Sequence, residues 1–340
     1  MNALAAGAFA ATIFPGLDSR LVGVTVILIL TVLHAVGLRA SKFTQNGLVL
    51  VDVVLLLGFV ATGLLLGSHT WPTWTPPNAS GAFPLQAFMQ SLFFIAFAFS
   101  GWNAAAYASS EFRDPKRDVP RSMLIGCALV AVLYLIVNWV FVANLTPERA
   151  KVVFAYEQTR VTLGHVVIKD LLGPAGGVAM SLLSFTAFVA AASAMTLVGP
   201  RVYAAMADDG FLPGLLRARA GRPPVGSVVL QAALALALLY TNTADELLRT
   251  VGAILTLFAA LTSATIFKVR FSATPHSKPD LLTLLAATVH VASAVFMLYF
   301  GLRASTRLLG WIAAVAFVAL LAYTATRSMG GTRFSGERSG

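Results

Sequence analysis

The sequence has little charge and almost no cysteine. Asp, Glu, Lys and Arg make up 11% of its 340 residues, whereas 58% are hydrophobic and the mean hydropathy is +0.81. Soluble domains carry about 25% charged residues, so this composition excludes an ordinary soluble protein. The single cysteine, Cys127, excludes an intrachain disulfide framework, and the five histidines lack metal-ligand spacing. No G-x-S-x-G or H-E-x-x-H motif occurs, so we expect no enzyme, no catalytic residue and no metal.

Long apolar runs dominate instead and predict an all-α polytopic membrane protein. Each run approaches the roughly 20 residues that a helix needs to cross the hydrocarbon core. Nine transmembrane helices are predicted, at 21–38, 45–67, 85–109, 121–144, 176–203, 225–241, 247–267, 280–302 and 307–326. Residues 2–14 form a further apolar stretch of only about 20 Å, which is too short to span a membrane. That stretch is either an interfacial helix or the last part of a longer helix.

The distribution of Lys and Arg predicts the orientation. Of the 24 basic residues, 16 fall in loops of one side and 8 in loops of the other. The basic side is expected to be cytoplasmic and holds the C-terminal tail, in a cell (plasma or inner) membrane. The net charge of +10 therefore reflects topology and contact with the lipid bilayer, and no nucleic-acid partner is expected.

The central feature is a Ser-Gly pair inside the apolar run 85–109. Gly101 is a weak helix former, and Ser100 competes for backbone hydrogen bonds, so the pair predicts a helix break. In lipid a broken backbone is tolerated only where it is buried in protein or lines a cavity, and in transporters such cavities hold substrate. The same pair also favours close helix packing. The residues alone leave both interpretations open.

Several polar residues lie inside the predicted spans. Asp52 costs ~2.5–3.5 kcal/mol in mid-membrane and shares one helix stripe with Gln45 and Gly63, which predicts that it faces inward. Two hypotheses follow: a proton-coupling carboxylate, or a structural carboxylate reached by water or paired with Arg. Ser193 and Thr196 are either ligands of a coupling Na⁺ or packing residues.

The segment 145–175 and the buried polar residues each allow a further interpretation. The long segment 145–175 is expected to form one or two short helices over the outer mouth, as a lid or as a passive interfacial element. A membrane-embedded enzyme that uses Asp52 with His34 or His290 is an alternative to a transporter, although nothing in the sequence places those groups together.

Three segments carry a family resemblance, namely FSGWNAAAYASSEFRDPKRDVPRS, GPRVYAAMADDGFLP and VGLRASKFTQNGLVLVDVV. In that order, they resemble the sixth helix with the loop that follows it, the segment after the eighth helix, and the entrance to the fifth helix of the amino acid–polyamine–organocation (APC) permeases. The Gly-Trp-Asn sequence in the first segment most resembles the L-type amino acid transporter branch of that family.

The resemblance implies a LeuT-type fold, in which two five-helix repeats of inverted topology hold the substrate between broken helices one and six. The nine predicted helices would then be the fourth to twelfth, so the fold is expected to be incomplete and the chain N-terminally truncated. The implied regions are a remnant of the first repeat (1–67), a complete second repeat (85–268), two peripheral helices (280–326) and a cytoplasmic tail (327–340).

The resemblance also assigns the substrate site. It makes Phe97 the aromatic gate, Ser100 and Gly101 the unwound backbone that receives the substrate amino group, and Trp102 and Asn103 the residues that line or brace it. The implied function is secondary active transport of small amino acids or related amines by alternating access, coupled to H⁺ or working by exchange.

One position departs from the family pattern. Several proton-coupled relatives carry Lys where this chain has Asp52. H⁺ coupling through Asp52, Na⁺ coupling and exchange therefore all stay open. The alternative function is a truncated, non-transporting membrane fragment, and the oligomeric state is open.

Overall fold

The computed structural model describes residues 1–69, 71, 83, 85–109, 112–149, 163–219, 222–271, 278–304 and 307–329. Within these ranges the chain is helical and contains no β-strand. The helices are α1 (Asn2–Ile13), α2 (Ser19–Val36), α3 (Leu38–Leu66), α4 (Leu85–Ala98), α5 (Ala104–Tyr107), α6 (Pro115–Asn144), α7 (Leu163–Leu172), α8 (Pro174–Asp208), α9 (Val225–Thr241), α10 (Ala244–Phe271), α11 (Leu281–Ala304) and α12 (Arg307–Met329).

Eight of the nine predicted spans coincide with one helix each, and the ninth, 85–109, is divided between α4 and α5. Among the described residues, six helices are long and apolar enough to cross a membrane, namely α2, α3, α6, α8, α10 and α11. Of the other three, α4 is cut to 14 residues and α9 has 17, while the apolar stretch of α12 runs from Leu309 to Leu321. The fold is therefore that of a multi-pass, all-α membrane protein.

Local capping sets where two of the long helices begin. The Asp18 carboxylate accepts hydrogen bonds from the backbone N–H groups of Arg20 (2.7 Å) and Leu21 (2.9 Å), which starts α2. Asp114 caps α6 in the same way, and Pro115 occupies its first turn, where a missing N–H costs nothing. Helix α6 consequently begins six residues before the predicted span, within the exposed charged patch.

The first compact unit comprises 1–80 and 102–242. Helix α8 is its centre and contacts α1, α2, α3, α5, α7 and α9. A cluster of buried apolar side chains joins four helices of this unit: Phe59, Val60, Val140, Val167, Ile168 and Leu183. Helices α3 and α6 come so close at Gly63 that a Cβ there would lie 2.2 Å from Val140 Cγ1.

The second compact unit comprises 81–101 and 243–340, of which the structure describes α4, α10, α11 and α12. Ala253 and Met297 are buried together in it, with Leu92 of α4 packed against them. Helix α12 continues to Met329, two residues past the predicted start of the tail, and 330–340 lie outside the described residues. The assignment of regions to inverted repeats stays a prediction, because compact units defined by contacts do not report repeat symmetry.

Candidate functional site

The predicted helix break at Ser100-Gly101 is present. Helix α4 ends at Ala98 and α5 begins at Ala104, and the residues between them form turns. Gly101 has a φ of +94°, a left-handed conformation that no right-handed helix contains and that favours glycine. The apolar run 85–109 is therefore two helical pieces joined by an irregular backbone.

The hydrogen-bond pattern agrees with this break. The N–H of Phe99 still donates to the carbonyl of Ile95 at 3.0 Å, which completes the last turn of α4. On the other side, the N–H of Ala106 donates to the carbonyl of Asn103 at 3.0 Å and opens α5. The boundary between the two compact units also falls in this break, because Gly101 belongs to the second unit and Trp102 to the first.

The predicted substrate-binding residues lie at and beside the break. Ser100 is exposed, Gly101 is partly exposed, and Trp102 is 47% exposed. The side-chain amide of Asn103 donates to the hydroxyl of Tyr107, which braces the turn against α5. The backbone of Phe97 belongs to α4, but its side chain lies outside the described part of the chain.

Asp52 lies on the inward face of α3, as the stripe pattern predicts. In the described part of the chain, its Oδ1 atom is buried and has no hydrogen-bond partner, and the same holds for Oε1 of Gln45. The Gln45 amide donates to the carbonyl of Ala190 on α8 at 3.5 Å, and Gly63 packs on α6. A buried carboxyl oxygen without a partner is unusual in a folded protein and calls for a specific explanation.

Ser193 and Thr196 lie one turn apart on α8. The Ser193 side chain is fully buried, and its hydroxyl lies 2.9 Å from Nε2 of His34 on α2. The Thr196 hydroxyl donates to the carbonyl of Ala192 at 2.8 Å. The structure thus brings Ser193 into a buried polar cluster that the sequence did not predict.

The other ring nitrogen of His34, Nδ1, is hydrogen-bonded to the Ser41 hydroxyl on α3. His34, Ser41 and Ser193 are 2%, 1% and 0% exposed, so three helices meet around one imidazole. Ser41 precedes Asp52 by eleven residues on α3, which is about 16 Å along the helix axis. The contacts of His34 are therefore far from Asp52, and His290 is exposed on α11, so the pairings behind the enzyme rival gain no support.

A cavity of about 10 Å³ adjoins this cluster. Its lining includes His34, Ser41, Thr196, Pro200 and Arg201. Pro200 lies inside α8 and has no N–H, so the carbonyl of Thr196 loses its normal helical partner at this point. The Arg201 guanidinium, which also lines the cavity, donates to the next carbonyl, that of Leu197.

Comparison with known proteins decides the family. The sequence profile described as "Amino acid permease" matches residues 1–322. The chain belongs to the amino acid permease family. The resemblance read from the three sequence segments is thereby confirmed.

Three relatives of this chain are named as transporters. It is 30% identical over 207 residues to "Cationic amino acid transporter 2, vacuolar" of Arabidopsis thaliana, covering 59% of the chain and 31% of that protein. It is 24% identical to the rabbit (Oryctolagus cuniculus) "Large neutral amino acids transporter small subunit 2", covering 85% of the chain and 54% of the relative. It is 24% identical to the mouse (Mus musculus) "b(0,+)-type amino acid transporter 1", covering 84% and 57%. The chain spans between about one third and just over half of the length of these relatives.

A second polar cluster, formed around His165 and Ser181, anchors the short helix α7. This helix lies in the segment predicted to cover the outer mouth. Nε2 of His165 lies 2.8 Å from the Ser181 hydroxyl, to which Thr12 of α1 donates at 2.8 Å. The ring of Phe9 stacks on His165 with centroids 5.7 Å apart and planes 6° apart. Burial lowers the pKa of His165 below its ordinary value.

An ion pair adds to this anchoring, because Arg149 Nη2 lies 3.1 Å from Asp170 Oδ1.

The sequence did not predict either histidine cluster, because residues of each cluster are far apart in the chain. His34 and Ser193 are 159 residues apart, and Thr12 and Ser181 are 169 residues apart. Periodicity indicates which face of a helix is buried, but it does not identify the helix that covers it. The available signal was the presence of isolated polar residues in apolar spans.

Proposed function

We propose that the protein carrying this chain is a secondary active transporter that moves small amino acids or related amines across a membrane by alternating access. The observation that supports this most is the irregular backbone at Ser100-Gly101, inside an apolar run of an amino acid permease-family chain. Broken helices at mid-membrane depth are the usual substrate sites of secondary transporters.

The backbone at the break supplies the proposed substrate contacts. Carbonyl groups around Ser100 and Gly101 receive the substrate's ammonium group, since an irregular backbone does not commit all of its polar groups to a helical ladder. Phe97 closes over the bound substrate. Trp102 lines the site and Asn103, bonded to Tyr107, holds the turn in place.

Asp52 is the proposed coupling residue, with H⁺ as the coupling ion. Its buried, partnerless oxygen favours a carboxyl group that gains and loses a proton during the cycle. Na⁺ coupling through Ser193 and Thr196 is the second candidate, supported by two hydroxyls one turn apart on α8, of which that of Thr196 borders the cavity at Pro200. Exchange without a coupling ion is the third.

The proposed location is a cell membrane, plasma or inner, with the C-terminus in the cytoplasm. The excess of Lys and Arg in the loops on that side supports this orientation. A non-transporting membrane fragment remains the alternative function.

The experiment is uptake of a panel of radiolabelled amino acids into proteoliposomes, with the pH and Na⁺ gradients imposed separately. We expect uptake of at least one small amino acid that responds to the pH gradient and not to Na⁺. Asp52→Asn should retain exchange of external for internal amino acid while losing the stimulation of uptake by an imposed pH gradient. Absence of uptake and exchange for every amino acid would support the non-transporting fragment.

The Na⁺ candidate has its own matched pair. Thr196→Ala removes a hydroxyl beside the Pro200 cavity. Thr186→Ala removes a hydroxyl ten residues earlier on α8, where it bonds to the carbonyls of Leu182 and Leu183. Na⁺-driven uptake that is lost in Thr196→Ala and kept in Thr186→Ala would replace H⁺ by Na⁺ as the coupling ion.

A further inference from the structure

We propose that His34, held between Ser41 and Ser193, is a proton-binding site that makes transport respond to pH on the side of the membrane where α2 ends. The proposal rests on the proposed transport function and adds a protonatable site separate from Asp52. Its ligand is a proton, carried by the imidazole ring.

The hydrogen bonds of His34 suit both protonation states. A neutral imidazole has one N–H donor and one acceptor nitrogen, and a hydroxyl can either donate or accept. Ser41 and Ser193 can therefore serve either neutral tautomer. When both ring nitrogens carry protons, each hydroxyl accepts, so the ring gains a proton without losing a hydrogen bond. Backbone N–H partners would not allow this.

The three side chains come from three different helices. His34 is on α2, Ser41 begins α3 and Ser193 is in the middle of α8. A change in charge at the ring is thus felt at once by the contacts among these helices. Such a position is suited to linking proton binding to helix movement.

Positive charge faces the ring. Arg201 of α8 lines the cavity beside His34, whereas Arg39 and Lys42 of α3 are exposed. The other two helices that contact α2, namely α1 and α9, contain no charged side chain. None of the described residues that line the cavity is a carboxylate. A change of charge at position 201 should therefore be felt at the His34 ring.

The cavity gives the proton a way to the ring. Its volume of about 10 Å³ is near the lower limit for one water molecule. Pro223 and Pro224 form part of its wall and belong to the segment that leads into α9. His34 thus lies one small cavity away from a loop, although it is itself buried.

The test uses the charge of Arg201, because a merely structural histidine would not respond to it. Arg201→Gln removes the positive charge and Arg201→Lys keeps it. We expect the pH midpoint of uptake to move upward by about one unit in Arg201→Gln and to stay in place in Arg201→Lys. His34→Gln, which keeps hydrogen-bonding capacity but cannot titrate, should lose this midpoint and retain exchange. An unchanged midpoint in both Arg201→Gln and His34→Gln would overturn the proposal.

A second measurement does not depend on transport. Histidine ring resonances of the ¹⁵N-labelled protein are followed by NMR in nanodiscs between about pH 5 and pH 8, the range in which histidine commonly titrates. The resonance absent from His34→Gln identifies His34. We expect that resonance to titrate, with a midpoint that rises in Arg201→Gln. A His34 resonance that stays neutral throughout would overturn the proposal even if uptake succeeds, whereas titration without uptake would count against the transport function alone.

Discussion

At the scale of single residues, Gly101 is the position on which the rest depends. Its φ of +94° requires a backbone that residues with a Cβ rarely adopt. The sequence was sufficient to predict this break, since glycine next to serine in an apolar run is a local signal. Ser193 beside His34 and Phe9 beside His165 could not be predicted, because each lies on a helix that is distant in the chain from the histidine it contacts.

A methyl group at Gly101 should impair transport more than stability. Gly101→Ala forces alanine into the left-handed region at a cost of about 1–2 kcal/mol, so we expect the initial rate of uptake to fall about tenfold. Gly126→Ala is the matched control, because a Cβ at Gly126 meets nothing within 4 Å. Equal uptake rates for the two variants at equal expression would show that the break is not used.

His165 should make the anchoring of α7 sensitive to acid. Burial lowers the pKa of His165 in the packed state, so the contribution of this packing is complete above the ordinary histidine pKa of about 6.5 and falls as the pH drops below it. Protection of 163–172 against hydrogen exchange, measured by mass spectrometry and normalised to the intrinsic amide rate at each pH, should therefore fall on acidification.

The control for that experiment is a pair of glutamine variants. His165→Gln should remove the pH dependence of this normalised protection in α7, whereas His290→Gln, at an exposed position of α11, should leave it unchanged. Normalised protection of α7 that does not change with pH in the parent protein would refute the role given to His165.

At the scale of helices, hydropathy located all nine predicted spans, but the ends depended on residues outside them. Asp114 and Pro115 start α6 earlier than its apolar run, and Gly101 ends α4 sooner. Small residues, as well as apolar faces, determine which helices pack against each other. Gly63 lets α3 approach Val140 of α6, in the way that small residues commonly bring membrane helices together.

Two glycines of α3 separate close packing from helix propensity. Gly63→Ala places a Cβ 2.2 Å from Val140 Cγ1, so we expect it to destabilise the fold by about 1–3 kcal/mol. Gly58→Ala adds the same methyl group where nothing lies within 4 Å, and should be neutral or slightly stabilising. Thermal unfolding of the two purified variants in the same detergent compares them. The contact of α3 with α6 would be wrong if both variants melted alike.

At the scale of the whole molecule, composition was enough to establish an all-α membrane protein. The family resemblance added the implied fold, and the match of the amino acid permease profile to residues 1–322 confirmed the family. Orientation stays a prediction from the charges of the loops, because neither hydropathy nor helix contacts distinguish the two sides of a membrane. The repeat structure also stays a prediction, because helix contacts do not report repeat symmetry.

The orientation can be measured with cysteine labels, after Cys127→Ser removes the single native thiol. Phe14 is 62% exposed beyond the end of α1, and Leu215 is 84% exposed after α8. We expect Phe14→Cys to react with a membrane-impermeant maleimide on intact cells, and Leu215→Cys only after lysis. The reverse pattern would invert the proposed topology.

Substrate protection at the break itself tests most directly whether Ser100-Gly101 holds the substrate. Ser100→Cys in the Cys127→Ser background places one exposed thiol at the irregular backbone, and Leu215→Cys provides a control that is 84% exposed in the segment after α8. A transported amino acid should slow alkylation of Ser100→Cys, over the same concentrations that saturate uptake, and should not affect Leu215→Cys. Alkylation of Ser100→Cys at an unchanged rate, in protein that still transports that amino acid, would contradict a substrate site at the break.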